Sequence, residues 1–138
     1  MSRKYTTGDS EQRMIKSIYL AGPWAYRDLA KQVRNHLVGA GIEVTSRWLD
    51  FPGDSHDPEV LQREAINDLE DVRKADALVL LNLQKRGEET SGKAVETGYA
   101  LALGKPVYMV GNPSNVFHWL PEVNRYNTID ELTNGLKG

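Results

Sequence analysis

The chain has 138 residues, 40% hydrophobic and 26% charged, with a formal net charge of -2 and no cysteine. That size and balance fit one globular domain with its own core and exclude disorder, a disulfide framework, a thiol nucleophile and Cys-ligated zinc. Lys and Arg are scattered, which argues against a nucleic-acid partner, and His36, His56 and His118 form no paired ligand motif, so no metal site is expected.

The first residues, MSRKYTTGDSEQRMIK, are polar and lack the apolar core of a signal peptide. With no apolar run of membrane-span length either, the expectation is a cytoplasmic protein without a membrane partner. A flexible arm is expected over residues 1–15, followed by a single domain over 16–138. Ser17–Ala21 is a short apolar run closed by Gly22-Pro23, read as a buried strand entering a turn. Residues 24–38 follow with Ala25, Leu29, Val33 and Leu37 at helical spacing, and Gly39 and Gly41 at the end. Residues 42–46 (IEVTS) read as a second strand, and the aperiodic stretch 47–56 as a loop. Asp57-Pro58 opens a helix with an N-cap and a proline at its first position, and Leu61, Ala65, Leu69 and Val72 form its expected apolar stripe.

Residues 77–83 (ALVLLNL) suit a central parallel strand covered on both faces. A polar loop over 84–91 leads to a helix over residues 92–103, then a fourth strand over 106–111. Residues 115–120 predict a helical turn and Ile129–Leu136 a short helix. Alternating strands and helices imply right-handed crossovers and a parallel sheet with helices on both faces. Ligands in such folds bind beyond the carboxyl ends of the strands, which selects residues 22–26, 47–56 and 84–96.

The turn after the first strand lacks GxGxxG, and no GxxxxGK(S/T) occurs anywhere, so neither a nicotinamide site nor a P-loop is expected. Two roles are open to Trp24, stacking on a base or sugar and packing its helix onto the sheet. Thr90, Ser91 and Gly92 stand at the mouth of a helix, where backbone N–H groups and the helix dipole favour an anion. Glu96 lies one turn in. An acid there can carry chemistry or merely suit the dipole; Ala94, Gly98 and Ala102 share a face that would let the helix pack closely and hold Glu96 near the strand ends. Of Glu64, Asn67, Asp68, Glu70 and Asp71, most read as a solvated helix face. Asp68 sits at the edge of the apolar stripe, where it can be half-buried.

Taken in order, Ile18-Tyr19-Leu20-Ala21-Gly22-Pro23-Trp24, Asn67-Asp68-Leu69, Asp76-Ala77-Leu78-Val79, the run from Gly92 through Glu96 to Leu101, and Gly104-Lys105-Pro106-Val107 resemble the nucleoside 2-deoxyribosyltransferase family and the related 2′-deoxynucleoside 5′-monophosphate N-hydrolases. The resemblance spans roughly residues 16–111. It implies a three-layer, flavodoxin- or Rossmann-like α/β domain that cleaves an N-glycosidic bond and passes the deoxyribosyl group to another base or to water. Glu96 matches the family's nucleophile, Tyr19 the tyrosine that hydrogen-bonds it, and Asp68 the aspartate that orients the sugar and assists protonation of the leaving base. Trp24 matches an aromatic of the base pocket, beside Gly22.

Transferases of this family often carry an aspartate where this chain has Thr90, and the hydrolases tend to place a serine there. Thr90, Ser91 and the N–H of Gly92, with Arg47 or Lys93, therefore incline the expected substrate toward a 5′-phosphate. A family glycine is Ala94 here. The resemblance further implies no cofactor and no metal, a small-molecule nucleoside or nucleotide as the partner, a homodimer or higher homo-oligomer, and a place in nucleotide salvage. Two readings from other classes stay open: a nucleotide-binding module without turnover, which the Thr90 departure allows, and a structural subunit.

Overall fold

The computed structural model describes residues 14–53, 55–83 and 92–138. Five strands form one parallel sheet: β1 (Ser17–Ala21), β2 (Glu43–Val44), β3 (Ala77–Asn82), β4 (Val107–Gly111) and β5 (Val123–Tyr126). Their order across the sheet is β2-β1-β3-β4-β5, with Ile18 opposite Ala77 and Leu78 opposite Val107. Four α-helices connect or follow them: α1 (Arg27–Gly39), α2 (Pro58–Lys74), α3 (Gly92–Ala102) and α4 (Ile129–Leu136). Every residue of β3 is buried, as expected of a central strand covered on both faces. The strand order reverses between β1 and β3, so the crevice at their carboxyl ends is where such a fold binds ligands.

Several elements fall where the pattern predicts them. The Asp57 carboxylate accepts the Glu59 N–H at 3.0 Å and Pro58 fills the first helical position, so α2 starts as anticipated. The final helix occupies Ile129–Leu136, and a reciprocal Thr128–Glu131 capping box fixes its start.

Other expectations need correction. The second strand is two residues long rather than five. Ser46 ends it because its hydroxyl accepts the Leu20 N–H at 2.6 Å, replacing the backbone ladder with a side chain. The Leu20 carbonyl is then taken by the Trp48 indole at 2.8 Å, and the expected loop at 47–56 begins with a 3₁₀ turn over Arg47–Asp50. The first helix also starts later: Trp24–Tyr26 form a 3₁₀ turn, and the buried face of α1 is Ala30, Val33 and Leu37, leaving Leu29 exposed.

A fifth strand was not anticipated. In Val-Asn-Arg-Tyr the two apolar residues are three apart, which matches no strand period. It forms because β4 offers a parallel edge, with Val107 opposite Val123. Tyr126 stacks on Tyr108 with centroids 6.3 Å apart, and it lies so close to Gly135 that any side chain there would collide with its hydroxyl.

Candidate active site

Three of the expected site residues, Tyr19, Asp68 and Glu96, come together near the point where the strand order reverses between β1 and β3. Tyr19, in the middle of β1, is fully buried, and its hydroxyl donates to Oε2 of Glu96 at 2.9 Å. Glu96 comes from the second turn of α3 and Asp68 from the middle of α2, and both line a cavity of about 350 Å³. That volume suits a small organic ligand. Burial raises the Glu96 pKa, the charge of Asp68 raises it further, and the Tyr19 hydroxyl opposes the shift. Asp68 is also raised, first by burial and then by Glu64 and Asp71. The two acids act directly on one another, so they titrate as a pair above the ordinary carboxylate range. Oδ1 of Asp68 is buried without a hydrogen-bond partner. Tyr19 stays protonated because burial and the neighbouring Glu96 and Asp68 charges all push its pKa far up.

The helix that carries Glu96 is turned differently from the expectation. Ala94 and Gly98 are exposed, and no atom outside the helix would touch a side chain at Gly98. Lys93, Thr97 and Ala100 are buried instead. This stripe looks polar in sequence, but the Thr97 hydroxyl donates to the Lys93 carbonyl at 2.7 Å and leaves its methyl for packing. On α2 the expected stripe is likewise rotated. Leu61 is 48% exposed and Ala65 is exposed, while Leu61, Glu64 and Asp68 face the cavity and Asp71 and Val72 are buried. Of the expected stripe, Val72 is buried in the core and Leu61 lines the cavity.

Part of the cavity wall is aromatic. Trp24 lies 6.0 Å from Trp48 and 6.3 Å from Phe51, centroid to centroid, and keeps 44% of its surface exposed. The Arg27 guanidinium sits 4.1 Å over the Trp24 ring and donates to the Phe51 carbonyl at 2.7 Å, tying turn and loop together. Gly53 closes the arrangement at φ +81°, and a Cβ there would come within 2.5 Å of the Trp24 ring. Trp24 packs on its neighbours and lines the cavity. Trp48 and Phe51 were not singled out from the sequence, and Glu64 was read with the solvated helix face; two aromatics within a loop at a strand end were the available signal.

Gly22 and Gly92 line the cavity, as does buried Lys93; burial lowers the His118 pKa and the Lys93 charge lowers it further. Thr90 and Ser91 lie outside the described residues. Arg47 is placed elsewhere. Its Nε donates to Asp71 at 2.9 Å and its Nη2 to Glu70 at 2.8 Å, so the guanidinium fastens the 47–50 turn to α2 and does not line the cavity. Among the described residues no group of three or more acids and histidines is arranged to hold a metal ion.

This geometry meets a matching family signature. The nucleoside 2-deoxyribosyltransferase model matches residues 18–130. The chain belongs to that family. It is an enzyme, and the chemistry of its family is transfer of a nucleoside's deoxyribosyl group. The 2-deoxyribosyltransferase of Bacillus psychrosaccharolyticus is similar at 25% identity, with a TM-score of 0.66 over 86% of this chain and 90% of that one. The CMP N-glycosidase of Clostridium botulinum shares the fold at 18% identity and a TM-score of 0.56, covering 88% of this chain and 98% of that one. A conserved protein from Enterococcus faecalis does so at 20% identity and 0.59, covering 89% and 98%. No curated protein matches the chain in sequence.

Proposed function

We propose that this member of the family cleaves the N-glycosidic bond of a 2′-deoxynucleoside or its 5′-monophosphate, with Glu96 as nucleophile. The observation that carries the reading is the Tyr19–Glu96 hydrogen bond beside Asp68 in a cavity walled by tryptophan. N-glycosidic cleavage passes through an oxocarbenium-like state, which a carboxylate at the anomeric carbon stabilises and then captures as an ester. The departing base leaves poorly as an anion and needs a proton. One proton shared by Asp68 and Glu96 meets both needs when it resides on Asp68, and the Tyr19 hydroxyl favours that arrangement by holding charge on Glu96. The Glu96 oxygen bonds C1′ as the C1′–N bond breaks and Asp68 protonates the base. Water or a second base then displaces Glu96, with Asp68 taking back a proton.

The aromatic wall suits the base, since every base has a face that stacks on indole. A 5′-phosphate is favoured by buried Lys93 and the N-terminus of α3 on the same cavity. The remaining expectations enter as proposals. Ile66 and Val95, 57% and 62% exposed, support a second copy packing on α2 and α3. No described helix is long and apolar enough to cross a membrane, and we place the enzyme in the cytoplasm, in nucleotide salvage. The test is incubation with deoxynucleosides and their monophosphates, following free base by chromatography with and without an acceptor base. Release from at least one substrate is expected; none from any, by folded protein, overturns the reading.

A further inference from the structure

The mechanism above leaves one charged cavity residue without a task. Glu64 stands one turn before Asp68 on α2, and Leu61, Glu64 and Asp68 line the cavity along one helical face. Trp24, Trp48 and Phe51 line the same cavity. A base stacked on these rings has its polar edge free to meet a side chain of α2.

We infer that Glu64 selects the base, admitting those that present an amino group to α2 and rejecting those that present only a carbonyl there. The inference rests on the N-glycosidase reading of the site. Asp68 must reach the acceptor atom beside the glycosidic nitrogen, the 2-oxygen in a pyrimidine. One helical turn is about 5.4 Å, comparable with the span across the ring from that oxygen to the 4-substituent. Glu64 is therefore spaced to meet the 4-substituent when Asp68 meets the 2-oxygen. A carboxylate only accepts hydrogen bonds, so it pairs with an exocyclic amino group and faces the lone pairs of a carbonyl with like charge. The effect of Glu64 on Asp68, whose pKa it helps to raise, indicates that the two carboxyls feel one another across this face.

Deoxycytidine and deoxyuridine monophosphates differ only along the N3–C4 edge, with an acceptor nitrogen and an amino group in the first and an N3–H and a carbonyl in the second, so only the first offers a donor at the 4-position, which makes them the test pair. With wild-type protein, kcat/KM for the cytosine substrate should exceed that for the uracil substrate by about tenfold or more, the scale of a hydrogen bond to a charged group. Glu64→Gln can turn its amide to offer either a donor or an acceptor, and Glu64→Ala offers neither. Both should bring the two substrates within about threefold of each other, chiefly by raising the uracil rate relative to the cytosine rate. Equal efficiency in the wild type overturns the selection alone. So does an unchanged ratio in both variants, or an equal loss on both substrates, which would assign Glu64 a general electrostatic role. Base release from neither substrate nor from their purine counterparts would remove the glycosidic reading itself, and the selection with it.

Discussion

The acidic floor of the cavity and its aromatic wall are held in opposite ways. Tyr19, Asp68 and Glu96 project from a central strand and two long helices, and Tyr19 is locked by burial and by its bond to Glu96. Trp24, Trp48 and Phe51 sit on 3₁₀ turns and the loop after them, braced by Arg27 and Gly53. Groups that must stay within a fraction of an ångström of a reacting atom belong on rigid elements, whereas groups that recognise a flat ring tolerate a loop. Chemistry and recognition should therefore separate under mutation, the floor acting on kcat and the wall on KM.

The sharpest break is expected at Glu96. Glu96→Ala removes the proposed nucleophile, so base release should fall by about three orders of magnitude or more while the circular dichroism spectrum is retained. Tyr19→Phe loses one hydrogen bond to a charged acceptor and should lower kcat by roughly tenfold to a hundredfold with KM little changed. On the wall the pattern reverses. Trp24→Ala should raise KM by about tenfold and leave kcat within roughly threefold, as expected for loss of one stacking surface. If Trp24→Ala lowers kcat as much as Tyr19→Phe does, the division between floor and wall is wrong.

A smaller effect separates the two sides by stability. Because the Glu96 and Asp68 pKa values are raised on folding, the folded protein binds protons more readily than the unfolded chain. Their contribution is fully present below the ordinary carboxylate range, near about 4, and is lost as pH rises through the raised values. Glu96→Gln removes that penalty. Its melting temperature should exceed the wild type's by a few degrees, roughly the equivalent of 1–2 kcal/mol, at pH 9, and the gap should narrow toward pH 5. Trp24→Ala should show no such pH-dependent difference.

Much of this arrangement could be read in the chain, though unevenly. The run Ser17–Ala21, the Asp57-Pro58 start and the all-apolar β3 announce themselves because local chemistry and tertiary role agree there. Glu96 and Tyr19 enter the proposal through the order of short motifs, since an acid near a helix start has a bland explanation too. What the pattern misplaced were helix faces. Leu61 and Ala65 on α2, and Ala94 and Gly98 on α3, look like packing residues and are exposed, while Lys93, Thr97 and Asp71 look exposed and are buried. Hydrophobic spacing reports the core, and a helix whose inner face borders a cavity carries polar residues where a core helix carries leucine. Arg47 shows the same limit: a cation at a strand end looked available to a phosphate until Asp71, 2% exposed, was seen to hold it.

The central claim, that Glu96 forms a bond to the anomeric carbon, has a stereochemical consequence. Two displacements retain configuration, whereas direct attack by solvent inverts it. Running the reaction in water containing methanol traps the sugar as a methyl glycoside, which cannot change anomer afterwards, and NMR identifies it. A methyl β-deoxyriboside from a β-deoxynucleotide is predicted; the α-anomer as the initial product would contradict Glu96 as nucleophile.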